Sequence, residues 1–582
     1  MQDPCNVWNG KAFQFTLKKI TEIISEKNEC SIPAKFKAVE NDIVNRVTAD
    51  NMPAKKGVRV LFDLSWNKSE EESEAKVIEY IKDGVIVFSN RSFVDEKGQK
   101  LDTIYVKDPW EAWISIGKYV KAVFPMPTIG ITGSTGKTTC TMFAQSVFNE
   151  RYNTFISGED GKNYNTTLSI VNQWILRAND EYDFHIQECG GETPNLIESS
   201  ARVIDVDAFA INNIDTRQHI ATYGTPENLI KDKTSFDRVR KDSTFGVINL
   251  DDEILKTYKF DSPIITYAIN DETADYVGKN IRQNGSLLEF DVVSESESVH
   301  IKINIIGKYN VYNALMIFAL AKQFGLTNDE IQRGFLKYKS IGIRQNLREV
   351  AGRLLYMDCY NASPESTELS VKTLSEIERG KRNRKIAIIG ERKAANDDVY
   401  KINYELGKAL AKYNEIDEYI IIGEDPSMVI NKDEITVKTD DDLKRGRGIY
   451  DGLVSSKNNN NVWFCDDLKK LALKLRWQTK PGDVILFKGR VQLALWSIAD
   501  IAFGTDYTKS KILMPVGIPR ELIKNKEYRG FYYKYFDGID LVWGQNGFDN
   551  TKLSIPDYLE NKYVVRISES MFKNNTQIRE VI

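Results

Sequence analysis

Histidine, paired cysteines and long apolar runs are all scarce in this chain. Only 3 of the 582 residues are histidine, and the 6 cysteines include no C-x-x-C pair. The cysteines are Cys5, Cys30, Cys140, Cys189, Cys359 and Cys465. Their scatter indicates neither a zinc site nor a disulfide framework, so we expect ordinary thiols.

The chain also lacks the sequence features of proteins that insert into membranes or bind nucleic acids. No apolar run approaches the roughly 20 residues that cross a bilayer, and the opening MQDPCNVWNG lacks the basic and apolar regions of a signal peptide. The formal net charge of -4 gives no overall attraction to polyphosphate. We therefore expect a cytoplasmic protein that neither inserts into membranes nor binds nucleic acid.

The length and the order of the apolar segments predict several α/β domains. A chain of 582 residues exceeds one hydrophobic core and suggests roughly three or four domains. Short apolar runs alternate with longer amphipathic stretches, which is typical of parallel sheets with crossover helices. The runs predicted to be strands are DFHIQE, DAFAINNI, FGVINL, RLLYMDC, KIAIIG, EYIIIG, NVWFC and DVILFKG. We place domains at residues 1–124, 125–340 and 341–504, followed by an irregular, aromatic-rich extension at 505–582.

A glycine-rich loop within residues 130–139, GITGSTGKTT, follows a predicted strand and opens a predicted helix. Glycines let backbone amides turn toward an anion, and a helix N-terminus favours negative charge. We expect Lys137 to reach the terminal phosphates of ATP during catalysis and Thr138 to bind Mg²⁺. The residues expected to bind the nucleotide here are Gly133, Ser134, Thr135, Gly136, Lys137, Thr138 and Thr139.

The glycine spacing G-x-T-G-x-x-G-K-T resembles that of the Mur ligase family, and further segments resemble this family in the same order. These segments are DFHIQE, NNIDTRQHIATYGTPENLIKDKTSF, VINLDD, GKYNVYNALMIFALA and LYMDCYNASPESTELSVKTL. The resemblance implies an α/β protein of three domains. The first would bind a UDP-linked substrate, the central one would be a P-loop ATPase domain, and the third would be Rossmann-like.

The resemblance also implies a metal site next to the loop. Glu188, at the end of DFHIQE, resembles the family's magnesium-binding Glu, and His219 resembles its metal-binding His. Lys233 resembles a lysine that is carbamylated in many members, with Lys231 as the alternative. A carbamate is an anion that attracts Mg²⁺, whereas an ammonium repels it. Thr138 would complete this set. Each residue also has an ordinary interpretation: a solvated strand end for Glu188, a surface loop for His219 and a helix surface for Lys233.

Five further residues resemble those with which the family binds ATP. Asn310 and Asn313 lie three positions apart at a predicted helix start, and their counterparts meet the adenine. Arg344 resembles the linker arginine that contacts ATP, and Asp358 resembles the ribose-binding Asp, with Asn361 nearby. Helix capping by Asn310 and a turn role for Asp358 are the alternatives.

These parts together predict an ATP-dependent amide ligase that activates a carboxylate as an acyl phosphate for attack by an amine. The stretch DCYNASPES is most similar to the branch of the family that adds D-alanyl-D-alanine to a UDP-muramyl peptide. The first domain carries Ala49-Asp50-Asn51 where that branch has D-S-R. A non-standard acid or amine, an inactive ligase-like scaffold, and a P-loop ATPase that acts as a switch or motor are the alternatives.

The C-terminal stretch SESMFKNNTQIREVI, residues 568–582, resembles the start of a bacterial surface-antigen leucine-rich repeat. One such repeat cannot bury its own apolar face, because a stable stack needs about three or more. An accidental similarity is the alternative. A protein partner that binds through this extension is an expectation of the same resemblance.

Overall fold

The computed structural model describes most of the chain. The described residues are 14–49, 57–64, 70–158, 164–216, 220–284, 286–340, 342–378, 383–390, 399–423, 440–456, 461–465, 468–490, 493–505 and 507, together with short strands between residues 526 and 581. The chain divides into two units. The first comprises Met1–Arg282, Glu289–Asn304 and Tyr309–Tyr338, and the second comprises Gln283–Leu288, Ile305–Lys308 and Lys339–Ile582.

The N-terminal part of the first unit is a six-stranded sheet with helices. Its strands are β1 (Phe15–Thr16), β2 (Cys30–Ser31), β3 (Ile43–Ala49), β4 (Val58–Phe62), β5 (Ile86–Ser89) and β6 (Ile104–Val106). Its helices are α1 (Leu17–Ser25), α2 (Glu70–Lys82) and α3 (Pro109–Val123). The strand order is β1-β3-β4-β5-β6-β2, and β3 to β6 are parallel. Helix α3 begins at Pro109 because the Asp108 carboxylate accepts a hydrogen bond from the Glu111 amide.

A nine-stranded sheet follows in the chain. Its strands are β7 (Thr128–Thr132), β8 (Thr154–Ile156), β9 (Phe184–Glu188), β10 (Ala208–Ile211), β11 (Phe245–Asn249), β12 (Ile264–Ala268), β13 (Tyr276–Asn284), β14 (Leu287–Val293) and β15 (Ser298–Asn304). The helices are α4 (Lys137–Phe148), α5 (Thr167–Arg177), α6 (Leu196–Ile204), α7 (Ile220–Tyr223), α8 (Pro226–Lys233), α9 (Ser235–Arg238), α10 (Glu253–Thr257), α11 (Asn310–Gln323) and α12 (Asn328–Lys337).

The order of this sheet places β7 in its interior, between β10 and β9. The strands run β15-β14-β13-β12-β11-β10-β7-β9-β8, and the pairs from β8 to β13 are parallel. All five residues of β7 are buried, as expected for a strand that helices cover on both faces. Because parallel strands end at one edge, the residues after β7, β9 and β10 meet there.

The second unit contains a six-stranded α/β sheet. Its strands are β16 (Asn346–Val350), β17 (Arg353–Asp358), β18 (Lys385–Gly390), β19 (Glu418–Ile422), β20 (Asn461–Cys465) and β21 (Val484–Lys488). Its helices are α13 (Pro364–Glu376), α14 (Val399–Leu410), α15 (Asp440–Ser455), α16 (Leu468–Gln478) and α17 (Trp496–Phe503). The order is β16-β17-β21-β18-β19-β20, with only β16 antiparallel to its neighbour. The predicted strands RLLYMDC, KIAIIG, EYIIIG, NVWFC and DVILFKG are confirmed as β17 to β21.

The C-terminal extension, which we expected to be irregular, contains seven short strands among its described residues. They are β22 (Lys526–Tyr528), β23 (Phe531–Tyr535), β24 (Ile539–Gly544), β25 (Lys552–Leu553), β26 (Tyr558–Leu559), β27 (Lys562–Ile567) and β28 (Glu580–Val581). Most of the stretch that resembles a leucine-rich repeat, residues 568–579, lies outside the described residues.

Five of the described cysteines lie outside any disulfide bond: Cys30, Cys140, Cys189, Cys359 and Cys465. Cys5 lies outside the described residues. Within the described part of the chain, no helix has both the length and the apolar character that a membrane span requires.

Candidate active site

The glycine-rich loop connects β7 to α4 at the carboxyl edge of the nine-stranded sheet, which we call the central sheet. Gly136 precedes α4 with φ +91°, a left-handed conformation that strains other residues. A Cβ added there would lie 2.5 Å from Asn212 Nδ2 and 2.8 Å from Asn313 Oδ1. Glycine is therefore required for both the backbone conformation and the close packing of the loop.

Two asparagines that follow β10 hold the loop in place. Asn213 Oδ1 accepts hydrogen bonds from the backbone amides of Ser134 (3.1 Å) and Thr135 (2.8 Å), and Asn213 Nδ2 donates to the Thr135 carbonyl (3.0 Å). Asn212 Nδ2 donates to the same carbonyl (2.9 Å) and to Asn313 Oδ1 (2.7 Å). Sequence reasoning missed both roles. The signal was an Asn-Asn pair directly after a strand that neighbours β7.

The charged and hydroxyl side chains of the loop point to the same edge. Lys137 Nζ donates to the carbonyls of Gly133 (2.8 Å) and Ser134 (3.1 Å). The Thr138 hydroxyl donates to Glu188 Oε2 at 2.8 Å. Residues 134–139, which include Thr139, are all half-buried. A cation, a hydroxyl and the N-terminus of a twelve-residue helix thus lie together, which is a donor set that suits a polyphosphate.

Glu188 lies at the end of β9, beside β7, where Ile131 is its partner in the strand register. Its side chain is buried, with 4% of its surface exposed, so it differs from a solvated strand-end glutamate. Besides the Thr138 bond, Glu188 Oε1 accepts from Asn165 Nδ2 at 3.0 Å. Asn165 is a second residue that sequence reasoning missed, and its signal was its place just before a Thr-capped helix.

Lys233 lies at the end of α8, and its side chain reaches the glycine-rich loop. Lys233 Nζ donates to the Gly133 carbonyl at 3.2 Å, and only 2% of its surface is exposed. Burial lowers the pKa of this amine to about 7, and the positive charge of Lys137 contributes. Lys231 is exposed. The surroundings therefore favour Lys233 over Lys231 as the lysine that the family resemblance implies.

His219 lies outside the described residues, so its predicted place in the metal site stays a prediction. In the described part of the chain, no group of three or more His, Cys, Asp or Glu side chains is arranged to hold a metal ion. Among the described residues, the Glu188 carboxylate, the Thr138 hydroxyl and the Lys233 amine lie at the glycine-rich loop. A carbamate on Lys233 would add a second anionic group to this set.

The two asparagines predicted to meet adenine are both buried at the start of α11. Asn313 Nδ2 donates to Asn310 Oδ1 at 2.7 Å. Tyr309 is the residue that precedes the first turn of the helix, so Asn310 is not its cap. Asn313 contacts Asn212, which contacts the loop, and this chain of hydrogen bonds joins α11 to the candidate nucleotide site.

The residues predicted from the third domain form their own cluster in the second unit. Asp358, at the end of β17, accepts hydrogen bonds on Oδ2 from Lys488 Nζ and from the Ser370 hydroxyl, both at 2.7 Å. Lys488 is its partner in the register of the neighbouring strand β21. Asp358 is thus a buried member of an ion pair, rather than a turn residue alone. Sequence reasoning missed Lys488, whose signal was a lysine at the end of the strand LFK.

Arg344 and Asn361 flank this cluster along the chain. The Arg344 guanidinium carbon lies 3.2 Å from the centre of the Tyr360 ring, a stacking contact that orients the side chain. Among the described residues, Arg344 Nη2 is buried without a hydrogen-bond partner. Asn361 Oδ1 accepts from the Ala362 amide at 2.8 Å. This guanidinium nitrogen can donate a hydrogen bond to an anionic or polar ligand.

Comparison with known families gives two matches along the chain. Residues 131–321 match the family model described as the Mur ligase middle domain. Residues 344–491 match the model described as Mur ligase, glutamate ligase domain. These stretches together span more than half of the chain, and they contain the glycine-rich loop, Glu188, Lys233 and Asp358.

Relatives of named activity and solved structures resemble the chain as well. It is 23% identical over 327 residues to the UDP-N-acetylmuramoyl-tripeptide--D-alanyl-D-alanine ligase of Escherichia coli (strain K12), covering 56% of this chain and 70% of the relative. The ligase of that name from Bacillus subtilis (strain 168) is 24% identical over 396 residues, covering 66% and 78%. The fold is similar to that of MurF from Acinetobacter baumannii, with a TM-score of 0.67, 17% identity, and coverage of 85% of this chain and 100% of the other.

Proposed function

Because this chain belongs to the Mur ligase family, we propose that it joins a D-alanyl-D-alanine dipeptide to a UDP-N-acetylmuramoyl tripeptide. Members of this family are ATP-dependent ligases that form amide bonds, and this chain is such an enzyme. The observation that carries the substrate proposal is the similarity to two relatives named for that reaction, each matched over at least 70% of its length.

Joining a carboxylate to an amine in water is uphill, so the acid first needs a better leaving group. In the proposed reaction the carboxylate attacks the terminal phosphorus of ATP, which gives an acyl phosphate and ADP. The amine then attacks the acyl carbon, loses a proton, and expels inorganic phosphate as the amide forms. Such phosphoryl transfer depends on positioning and charge stabilisation more than on covalent chemistry by the protein.

The loop and α4 supply that positioning in this proposal. The backbone amides at the N-terminus of α4 and the Lys137 ammonium would hold the phosphates of ATP. Thr138 and Glu188 would hold Mg²⁺, which neutralises phosphate charge when it is bound. The 2.8 Å contact between these two side chains supports a shared role. Asn212 and Asn213 fix the loop backbone, so its geometry does not depend on the nucleotide alone.

Lys233 is proposed to carry a carbamate formed with CO2. The amine must be neutral to react with CO2, and its pKa of about 7 leaves a substantial neutral fraction near neutral pH. Its place beside the Gly133 carbonyl and Lys137 puts the resulting anion next to a cation. His219 completes the proposed metal site on the strength of the family resemblance.

In the second unit, Arg344, Asp358 and Asn361 are proposed to bind ATP, and in the first unit Asn310 and Asn313 are proposed to read the adenine. The paired amides of Asn310 and Asn313 offer both donors and acceptors to a base edge. The buried pair of Asp358 and Lys488 fixes the carboxylate in one orientation, which suits hydroxyl recognition.

A ligase of the same chemistry with another acid or amine is the second candidate. The observation that favours it is the triplet Ala49-Asp50-Asn51, which replaces the D-S-R of the dipeptide-adding branch in the first domain. Ala49 is fully buried at the end of β3, so it offers no polar group to a UDP-linked acid.

Release of phosphate from ATP in the presence of single and paired substrates tests the proposal. We expect turnover only when both a UDP-muramyl tripeptide and D-alanyl-D-alanine are present. The Lys137→Ala variant should lose this turnover, whereas Lys107→Ala, which changes an exposed lysine directly after β6, should keep it. Turnover without an amine would contradict ligase activity, and turnover only with another acid would favour the second candidate.

A further inference from the structure

A surface pocket of about 580 Å³ lies at the amino edge of the central sheet, opposite the nucleotide loop. Pro127 and Asp207 line it, and they immediately precede β7 and β10. The loop begins after the five residues of β7, a rise of about 16 Å along the strand. The pocket is therefore separate from the candidate nucleotide site.

Charged side chains from two helices and two loops line this pocket. They are Lys118, Lys121, Arg202, Asp205, Asp207 and Lys241. Lys118 and Lys121 belong to α3, and Arg202 belongs to α6. The rest of the wall includes apolar groups of the segment that joins α3 to β7, among them Pro125 and Met126. The pocket thus combines a charged wall with an apolar one, as small-molecule sites do.

Two of the four cations have carboxylate partners. Arg202 forms two hydrogen bonds to the Glu111 carboxylate, at 2.5 and 2.8 Å. Lys241 Nζ lies 2.9 Å from Asp207 and 3.4 Å from Asp205. The two wall carboxylates, Asp205 and Asp207, both contact Lys241, and among the described residues neither forms an ion pair with Lys118 or Lys121.

The other two cations, Lys118 and Lys121, form no ion pair with a described carboxylate. Lys121 Nζ donates to the Met126 carbonyl and the Thr128 hydroxyl, which are both neutral. Across the described residues, Lys118 forms no hydrogen bond or ion pair. Burial lowers the pKa of both amines, and that of Lys121 falls to about 8. Arg202 and Lys27 lower the pKa of Lys118 further through like-charge repulsion, whereas Glu111 and Asp205 act to raise it. Asp207 and Asp205 likewise act to raise the pKa of Lys121, but burial outweighs them. An anion placed here would relieve this repulsion.

We propose that this pocket binds the phosphate group of a small phosphorylated molecule, with Lys118 and Lys121 as its contacts. A phosphate carries up to two negative charges, which match the two unmatched lysines, and lysine is a common phosphate ligand. The volume exceeds that of a phosphate alone, so the apolar wall around Pro125 and Met126 would contact the remainder of the molecule. Inorganic phosphate is the smaller ligand of the same chemistry.

Calorimetric titration of protein saturated with Mg²⁺ and a non-hydrolysable ATP analogue tests the proposal, because the nucleotide loop is then filled. Inorganic phosphate and ribose 5-phosphate are titrated separately. We expect one additional site per chain. Tighter binding of ribose 5-phosphate would identify a phosphorylated metabolite as the ligand, and equal or weaker binding would identify inorganic phosphate.

The Lys118→Met variant should weaken this binding about tenfold or more, because it removes a half-buried cation with no structural bond. Lys107→Met, which removes an exposed lysine of the same unit, is the matched control and should bind as the parent does. Lys121→Met should also lose binding, with circular dichroism to check folding, since Lys121 is buried. No binding by the parent, or equal affinity in the parent and Lys118→Met, would overturn the proposal.

Discussion

Lys231 and Lys233 lie two residues apart on α8, yet their surroundings differ completely. Lys231 is exposed, whereas Lys233 is buried against the Gly133 carbonyl with its pKa lowered to about 7. Only a neutral amine reacts with CO2, and burial gives Lys233 a substantial neutral fraction near neutral pH. Burial therefore favours Lys233 as the lysine that would carry the proposed carbamate.

Replacement of Lys233 by alanine should abolish ligase turnover, because the proposed metal site loses its second anionic group. A short carboxylic acid such as acetate should restore part of the activity by occupying the vacated space. Phosphate release measured with and without acetate checks this, with Lys231→Ala as the matched control that keeps parent activity. A fully active Lys233→Ala variant would rule out the carbamate.

Removal of CO2 should lower activity, and its return should restore more activity at about pH 8 than at about pH 6. The pKa of Lys233 is depressed to about 7, so the neutral amine that reacts with CO2 prevails above that pH and declines below it. Initial rates at fixed CO2 partial pressure measure the effect. A CO2 response that is equal at both pH values, or absent, would count against a modified Lys233.

At the scale of single residues, the sequence indicates the site residues with chemical roles. The structure adds the residues that position them by hydrogen bonds. Lys137 and Thr138 follow from the loop motif, and Glu188 and Lys233 follow from the family resemblance. The fold brings all four to one edge of the sheet. Asn165 and Asn213 stand at places that the sequence marks, before a capped helix and after a strand, but the sequence does not show that they bind Glu188 and the glycine-rich loop.

The glycine-rich loop is the element on which the proposed nucleotide binding depends. Its shape combines a left-handed glycine with close packing against Asn212 and Asn313. Both requirements exclude a side chain at Gly136. The loop is thus held by α11 and by the segment after β10, as well as by its own helix.

Gly136→Ala should weaken ATP binding about tenfold or more, because the new Cβ would collide with two side-chain amides as well as strain the backbone. Gly98→Ala is the matched control: its φ is +73° and nothing lies within 4 Å of an added Cβ. That variant should show only the strain, about 1 kcal/mol in the free energy of unfolding. Calorimetric affinity and urea unfolding measure the two effects. Equal nucleotide affinity in Gly136→Ala and the parent would contradict the packing argument.

Most strands of the nine-stranded sheet and of the sheet in the second unit could be predicted from the sequence, but β8, β12, β13 and β16 could not. Runs such as FGVINL and DVILFKG are mostly apolar because helices cover both faces of their sheets. The strands β1 and β2 have only two residues each, too few to show any periodicity. The strands of the extension lie among aromatic and polar residues without a regular alternation. For this reason we expected an irregular extension.

At the scale of the whole molecule, the family matches end before the extension. The second match stops at residue 491, and α17 closes the core of the second sheet at Phe503. The domain boundary that we placed between residues 124 and 125 stays a prediction, since both sides belong to the first unit. The extension contributes none of the proposed catalytic residues.

Truncation after residue 507 should therefore leave ligase turnover within about twofold of the parent, a change of at most about 0.4 kcal/mol in the activation free energy. The expectation rests on Tyr507, whose ring is buried and packs against the core of the second unit, and which the truncated chain retains. Steady-state rates of the two proteins give the comparison. A truncated chain that is folded but inactive would show that the extension takes part in the reaction.

The central claim is that this chain forms an amide bond at the expense of ATP with a muramyl peptide as the acid. Mass spectrometry of the product tests it most directly. Protein incubated with Mg²⁺, ATP, a UDP-N-acetylmuramoyl tripeptide and D-alanyl-D-alanine should yield a molecule with the summed mass of acid and dipeptide less one water, together with equal amounts of ADP and phosphate. ADP formed without such a product, at a rate independent of the dipeptide, would contradict the account.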